Sequence, residues 1–219
     1  MFVNFLYLLF ILTLHYSFNL RIEGATDTIY EGIIKTGPEY ITTPSGGTHL
    51  CNGQNNNANP SAAGTGITAI NDAGSLCGFD FDGTYTASFQ DFFISRIGST
   101  SQTATQFWGI LLNYQYTPTG GCETEPPAGS DLLWAFDAFN KNNFLKVEPK
   151  TATLTVGSSQ VFTVTDGQTG NPISGATFNG LITNSQGQVT YVATQAGNFR
   201  IKATRSDSIR SNAAMITVT

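Results

Sequence analysis

The sequence predicts a mostly β chain in two parts. Residues 18–145 read as a mixed α and β domain, and residues 146–219 as a small immunoglobulin-like β-sandwich. Three observations lead there. Charged residues are 11% of the chain, under half the roughly 25% of ordinary soluble domains, and Thr, Ser, Asn and Gly fill the deficit. After residue 146, short runs alternate apolar with polar and are broken by turn residues roughly every 8–12 positions, the rhythm of a sandwich. Composition also changes at the join. Residues 18–145 hold four basic and twelve acidic residues, a net of −8, whereas residues 146–219 hold six and three, a net of +3. Opposite signs favour contact between the halves, although surface charge alone contributes little.

Met1 to Leu14 carry an apolar run of signal-peptide length, too short to span a bilayer as a helix. A cut after Ser17 leaves a secreted, extracellular protein with no membrane segment. Asn19–Glu23 alternates as a strand, and Thr28–Ile34 as a second. A polar loop is expected from Thr42 to Gly66, because no apolar period interrupts it. Thr68 to Leu76 read as a short helix with Thr68 as N-cap and Gly78 beyond its end. Phe79 and Phe81 flank Asp80 in a strand or turn, and Phe89–Ile94 is apolar without a clear period. Phe107–Asn113 and Leu132–Phe136 are too apolar for surface strands and read as buried ones. Val147-Glu148-Pro149-Lys150 is the join. Beyond it, Ala152–Val156, Gln160–Thr165, Ala176–Phe178, Val189–Val192, Phe199–Ala203 and Ala214–Val218 supply about seven strands. No cysteine lies in this half, so packing alone holds it.

The order of motifs in the first half resembles a known family. Ile22-Glu23-Gly24, Thr28-Ile29-Tyr30-Glu31-Gly32 and Asp91-Phe92-Phe93-Ile94-Ser95-Arg96-Ile97-Gly98 come first. Phe107-Trp108-Gly109-Ile110-Leu111-Leu112-Asn113 and Gly129-Ser130-Asp131-Leu132-Leu133-Trp134-Ala135-Phe136-Asp137 follow. Together they look like the family named for the C-terminal domain of transcobalamin. The resemblance implies a β-grasp-like module and, in the vertebrate carriers, a cap over cobalamin. The family strand usually ends Asn-Gly, and here Tyr114 follows Asn113. The large helical domain of those carriers is absent. Thr165 to Ala176, Asn184 to Thr190 and Gly197 to Thr204 resemble the bacterial-type immunoglobulin-like domains of invasins. The pairing is similar to secreted fungal proteins that join the two modules. Such resemblance specifies fold better than function.

Ten Lys plus Arg in the whole chain make a phosphate-neutralising surface untenable, so nucleic acid is not an expected partner. The expected function is non-enzymatic binding or adhesion at a cell surface or wall, to cell-wall polysaccharide or a surface protein, with no cofactor. The ligand-contacting candidates are Tyr114 and Tyr116 in the polar segment Tyr114–Pro118, with Trp108 and Asn113 on the strand before it. Trp108 and Trp134 also fit apolar strand cores. The alternatives are a carrier of a small planar or corrinoid-like ligand and a hydrolase using Asp80, Asp82 or Asp91. Asp80-Phe81-Asp82-Gly83 starts like a calcium loop, but its sixth position is Tyr85 and its twelfth is Asp91 rather than Glu, which reads as a solvated acidic turn. His49, the single histidine beyond the leader, reads as an exposed loop residue with no triad context. Cys51, Cys77 and Cys122 allow one disulfide in any of three pairings. The remaining thiol is either buried or a point of disulfide-linked dimerisation.

Overall fold

The computed structural model describes residues 16–219. The expected leader, residues 1–17, lies outside them except for its last two positions, which begin the first strand. In the first half, strands β1 (Tyr16–Glu23), β2 (Thr28–Thr36), β3 (Glu39–Thr43) and β4 (Gly47–Cys51) precede helix α1 (Gly66–Cys77). Then come β5 (Phe81–Thr86), β6 (Asp91–Ile97), β7 (Thr100–Ser101), β8 (Trp108–Leu112), β9 (Gln115–Tyr116) and β10 (Asp131–Phe136). The second half holds β11 (Asn143–Glu148), β12 (Thr151–Leu154), β13 (Ser159–Asp166), β14 (Thr177–Phe178) and β15 (Leu181–Ile182). It ends with β16 (Gln188–Val192), β17 (Gly197–Ile201), β18 (Ala203–Thr204), β19 (Ser208–Ile209) and β20 (Ala214–Val218). The described residues are mostly β with one short α-helix.

A five-stranded sheet, ordered β2-β1-β10-β8-β9, organises the first half. Its central pair, β1 and β10, is parallel, with Leu20 opposite Leu132 and Ile22 opposite Trp134. Because strand residues alternate in direction, the sheet has two different faces. Phe18, Leu20, Ile22, Ile34, Leu132, Trp134 and Phe136 point into one core, where Ile67 and Ile70 of α1 and Phe92, Ile94 and Ile97 meet them. Arg21, Glu23, Glu31, Leu133 and Ala135 occupy the other face, against which the second half packs.

The second half has three sheets, ordered β16-β13-β11-β19, β12-β20-β17 and β15-β14-β18. All three contribute to one core, built from Leu145, Val147, Phe162, Val164, Phe178 and Ile216 with their neighbours. Its ten strands exceed the seven expected because two-residue pairs such as β14–β15 carry no readable alternation. The join is itself a strand: β11 begins at Asn143, ahead of the compositional boundary. It pairs with β13 through Leu145 to Glu148.

Two expectations in the first half are corrected. The segment Thr42–Gly66 is not one polar loop, since β3 and β4 form a hairpin across a turn at residues 44–46. Ile41 and Cys51, both fully buried, fasten its inner face. Helix α1 starts two residues earlier than expected. Thr65, not Thr68, is the N-cap, and the two form a reciprocal capping box while Gly78 ends the helix in the left-handed region. Thr68 is instead buried and accepts from the Thr36 hydroxyl at 2.7 Å.

The contact between the halves is charged at one side and apolar at the other. Glu23 is 1% exposed. One of its oxygens meets the Lys202 ammonium, the other accepts from Arg210 Nε at 2.8 Å, and Thr28 donates to both. Glu31 accepts from Arg200 at 2.6 Å, Lys202 at 2.8 Å and the Ala213 amide at 2.8 Å. Burial pushes the Glu31 carboxyl up, but Lys202 and the amide outweigh it and hold it below its ordinary value. Burial pushes the Lys202 ammonium down, against the pull of Glu23. Beside this layer Leu111, Tyr114, Leu133, Ala135, Phe144 and Ile209 form a separate apolar cluster. Replacing Glu23 by Ala removes the carboxylate that pairs with Arg210 and one of the two that pair with Lys202. The expected loss is about 3–5 kcal/mol, measured by urea unfolding, and a loss under about 1 kcal/mol would show that the layer is solvated.

Candidate recognition surface

The sequence-derived candidates fall in one region but separate by burial. Asn113 and Tyr114 are the two residues between β8 and β9, and both have positive φ, +49° and +66°. Two such residues are what a tight type I′ hairpin turn requires, and Gly is favoured at the second. Tyr there costs backbone strain of order 1 kcal/mol or more. Its ring offsets that strain by burial: Tyr114 is 7% exposed and belongs to the apolar cluster between the halves. Its hydroxyl donates to Asn212 Oδ1 at 3.3 Å, and the Arg21 guanidinium lies 5.5 Å from the ring centre. A Cβ on Gly167 would fall 2.1 Å from this ring, so the second half presents a glycine where Tyr114 seats. Tyr114 is therefore not an exposed contact residue but an anchor of the interface. A polar neighbourhood in sequence hides this, because the covering surface arrives from residues 167 and 212.

Trp108 takes the strand-core reading and not the ligand-contacting one. It is 7% exposed and packs edge-to-face on Phe136 at 5.5 Å, inside the first core. Trp134 is 4% exposed and donates its indole N–H to the Gly66 carbonyl at 3.1 Å. Asn113 is exposed, but its side chain accepts from the Asp131 amide at 3.0 Å and closes the turn.

Tyr116 remains at the surface, 40% exposed, and it has a partner that the sequence did not single out. Phe139, 62% exposed, lies parallel to it with ring centres 5.3 Å apart and an 8° angle between planes. The pair is held rigidly. Tyr116 donates its hydroxyl to the Ala138 carbonyl at 2.9 Å and meets Phe144 edge-on at 5.7 Å. Phe139 sits on a single 3-10 turn, Ala138–Asn140, set by Asp137 in the left-handed region with φ +60°. The Asp137 carboxylate accepts from Asn140 at 2.6 Å and pairs with Lys141 at 3.3 Å. Asn113, Gln115 and Asn140 are exposed polar residues on the same turns. The sequence signal for Phe139 was an aromatic just past the last apolar strand, followed by Asn-Lys-Asn-Asn.

The acidic candidates do not converge. Asp80 is engaged bidentately by Arg96 at 2.7 and 3.0 Å. Asp82 accepts from the Ser45 amide and hydroxyl at 2.9 and 2.7 Å. Asp91 stands opposite Thr86 at the far end of the β5–β6 hairpin, about 13 Å along the strand from Asp82. Among the described residues no three His, Cys, Asp or Glu side chains are grouped to hold a metal. His49 is not in an exposed loop. It lies half-buried on β4, stacked on Tyr85 with ring centres 3.5 Å apart. Cys51 and Cys122 form the disulfide, and Cys77 is exposed and free. The bridge closes a 71-residue separation, which by loop entropy stabilises the fold by about 4 kcal/mol. No described helix is long and apolar enough to cross a membrane.

No family model matches the chain, and no curated protein matches it either.

Asp91 generates a stability prediction. Burial pushes its carboxyl up to about 7, although the Cys122 and Phe92 amides donate to Oδ1 and pull it down. Oδ2 is buried without a partner. The folded state therefore holds this proton to higher pH than the unfolded chain does, and stability contributed here falls as pH rises from about 4 to 7. Asp91→Asn keeps the Oδ1 acceptor and removes the charge. It should stabilise by ~1–3 kcal/mol at pH 8 and by much less at pH 4. Urea unfolding at both pH values checks this, and an equal effect at both would contradict it.

Proposed function

We propose that this is a secreted, non-enzymatic recognition protein that binds cell-wall polysaccharide through the Tyr116–Phe139 face. The observation that carries the proposal is a rigid pair of exposed, parallel aromatic rings, with exposed Asn140 next to Phe139 in sequence. Flat apolar rings with hydrogen-bonding groups at their edge suit a sugar, which has an apolar ring face and a rim of hydroxyls. The disulfide fits an oxidising, extracellular setting. The two-part build and mostly β content accord with a transcobalamin-like, β-grasp module joined to an immunoglobulin-like one. That kinship belongs to the proposal, and it supports a display scaffold more than any particular ligand. Exposed Cys77 is the thiol through which a disulfide-linked pair of chains would form.

The test is co-sedimentation of the secreted protein with insoluble chitin and β-glucan. Retention on one of them should drop by roughly tenfold in Tyr116→Ala/Phe139→Ala, about 1.4 kcal/mol, with the melting temperature little changed. Equal retention of the double variant, or no retention of the parent on either polymer, would overturn the proposal.

A further inference from the structure

A cleft of about 700 Å³ opens between the two halves, within the roughly 300–1,000 Å³ usual for small-ligand sites. It lies beyond the C-terminal ends of the parallel pair: β1 delivers Glu23 and the turn after it, and β10 delivers Phe136 and Asp137. The second half closes it with the segment from Thr204 to Arg210. Ligand sites favour such places because backbone turns and side chains from several elements converge there.

The lining excludes most ligand classes. Its large apolar members, Phe136 and Ile209, are 7% and 5% exposed, too covered to take up an apolar molecule or to stack a planar base. Its cations, Lys141, Arg205 and Arg210, face the carboxylates of Glu23 and Asp137, and each is already engaged within the protein. Arg210 donates to Glu23 and to the Gly24 carbonyl, Arg205 to Asp207 and the Ser174 carbonyl, and Lys141 pairs with Asp137. No guanidinium is left as a free fork for phosphate. Ser208 is likewise spent on Asp207 and Asn143, and the Gln106 amide on Asp137. What remains is a set of neutral hydroxyls: Thr26, Thr177, Thr204 and Ser206. Neutral hydroxyls around a wide, nearly charge-balanced cavity match a ligand that is itself many hydroxyls on a neutral frame.

We propose that this interdomain cleft binds a neutral polyhydroxylated ligand, a short soluble oligosaccharide. The site stands on the cleft alone and is distinct from the Tyr116–Phe139 face. It gives the chain a pocket for a single chain end beside a surface for polymer.

The experiment is an amide NMR titration of the secreted protein with soluble gluco-, manno- and chito-oligosaccharides. One of the three should shift the amides of Ala25, Thr26, Gln106, Thr204 and Ser206. Ser206 is exposed at the mouth, so Ser206→Trp fills the opening without disturbing a core. Ser206→Trp should weaken binding by roughly tenfold, whereas Tyr116→Ala/Phe139→Ala should leave these shifts unchanged. Absence of shifts at these five amides with all three sugars up to about 10 mM would overturn the proposal. So would shifts that survive Ser206→Trp. Failure of the polymer assay with these shifts intact would remove only the aromatic face.

Discussion

The Glu23 carboxylate, buried on the outer face of β1 and shared between Lys202 and Arg210, is the constraint on which the rest of the molecule depends. A five-stranded sheet needs both faces covered or one face wet. Here the first face is covered by α1 and the hairpins of the same domain, and the second by the other half of the chain. Of the six cations in residues 146–219, Arg200, Lys202 and Arg210 are committed to the two glutamates of that second face. The opposite net charges of the halves are thus realised as specific pairs.

Energetically the charged layer and the apolar cluster beside it have different roles. Burying ions costs several kcal/mol each, and pairing them returns roughly that amount. Net adhesion between the halves therefore comes mainly from Leu111, Tyr114, Leu133, Phe144 and Ile209. The ions set the register: a slip that separated Glu23 from Lys202 and Arg210 would leave a buried carboxylate without its cations. The same packing explains why a bulky Tyr114 is tolerated where the turn favours glycine, since Gly167 and Asn212 receive it. Through the turn it fixes the position of Tyr116, and through the layer it fixes the two walls of the cleft.

Elements with a strong period were legible. β1, β2, β8, β10, β13, β16 and β20 stand where alternation or apolar runs put them, because each buries at least one face in a single core. The β3–β4 hairpin was hidden by Thr, Ser and Gly, although Ile41 and Cys51 carry its inward period. β14, β15, β18 and β19 are too short to show any. Site residues were less legible for a physical reason. Exposure depends on what arrives from elsewhere in the chain. Tyr114 sits among polar neighbours yet is covered by a residue 98 positions away. Tyr116 stayed at the surface because Phe144 meets it edge-on and Phe139 lies parallel to it, which leaves the ring part-covered. The disulfide pairing was one of three open choices, since spacing carries no information on which cysteines approach.

The proposed cleft site requires that the halves behave as one unit. Native-state hydrogen exchange in rising urea tests this most directly, with amides followed in β1 and β10 and in β13 and β20. With the buried layer intact, the slowest amides of all four strands should converge on one opening free energy and one urea slope, reporting a single cooperative unit. If β13 and β20 open at a distinctly lower free energy while β1 and β10 stay protected, the halves are independent domains. In that case the buried Glu23 layer does not join them.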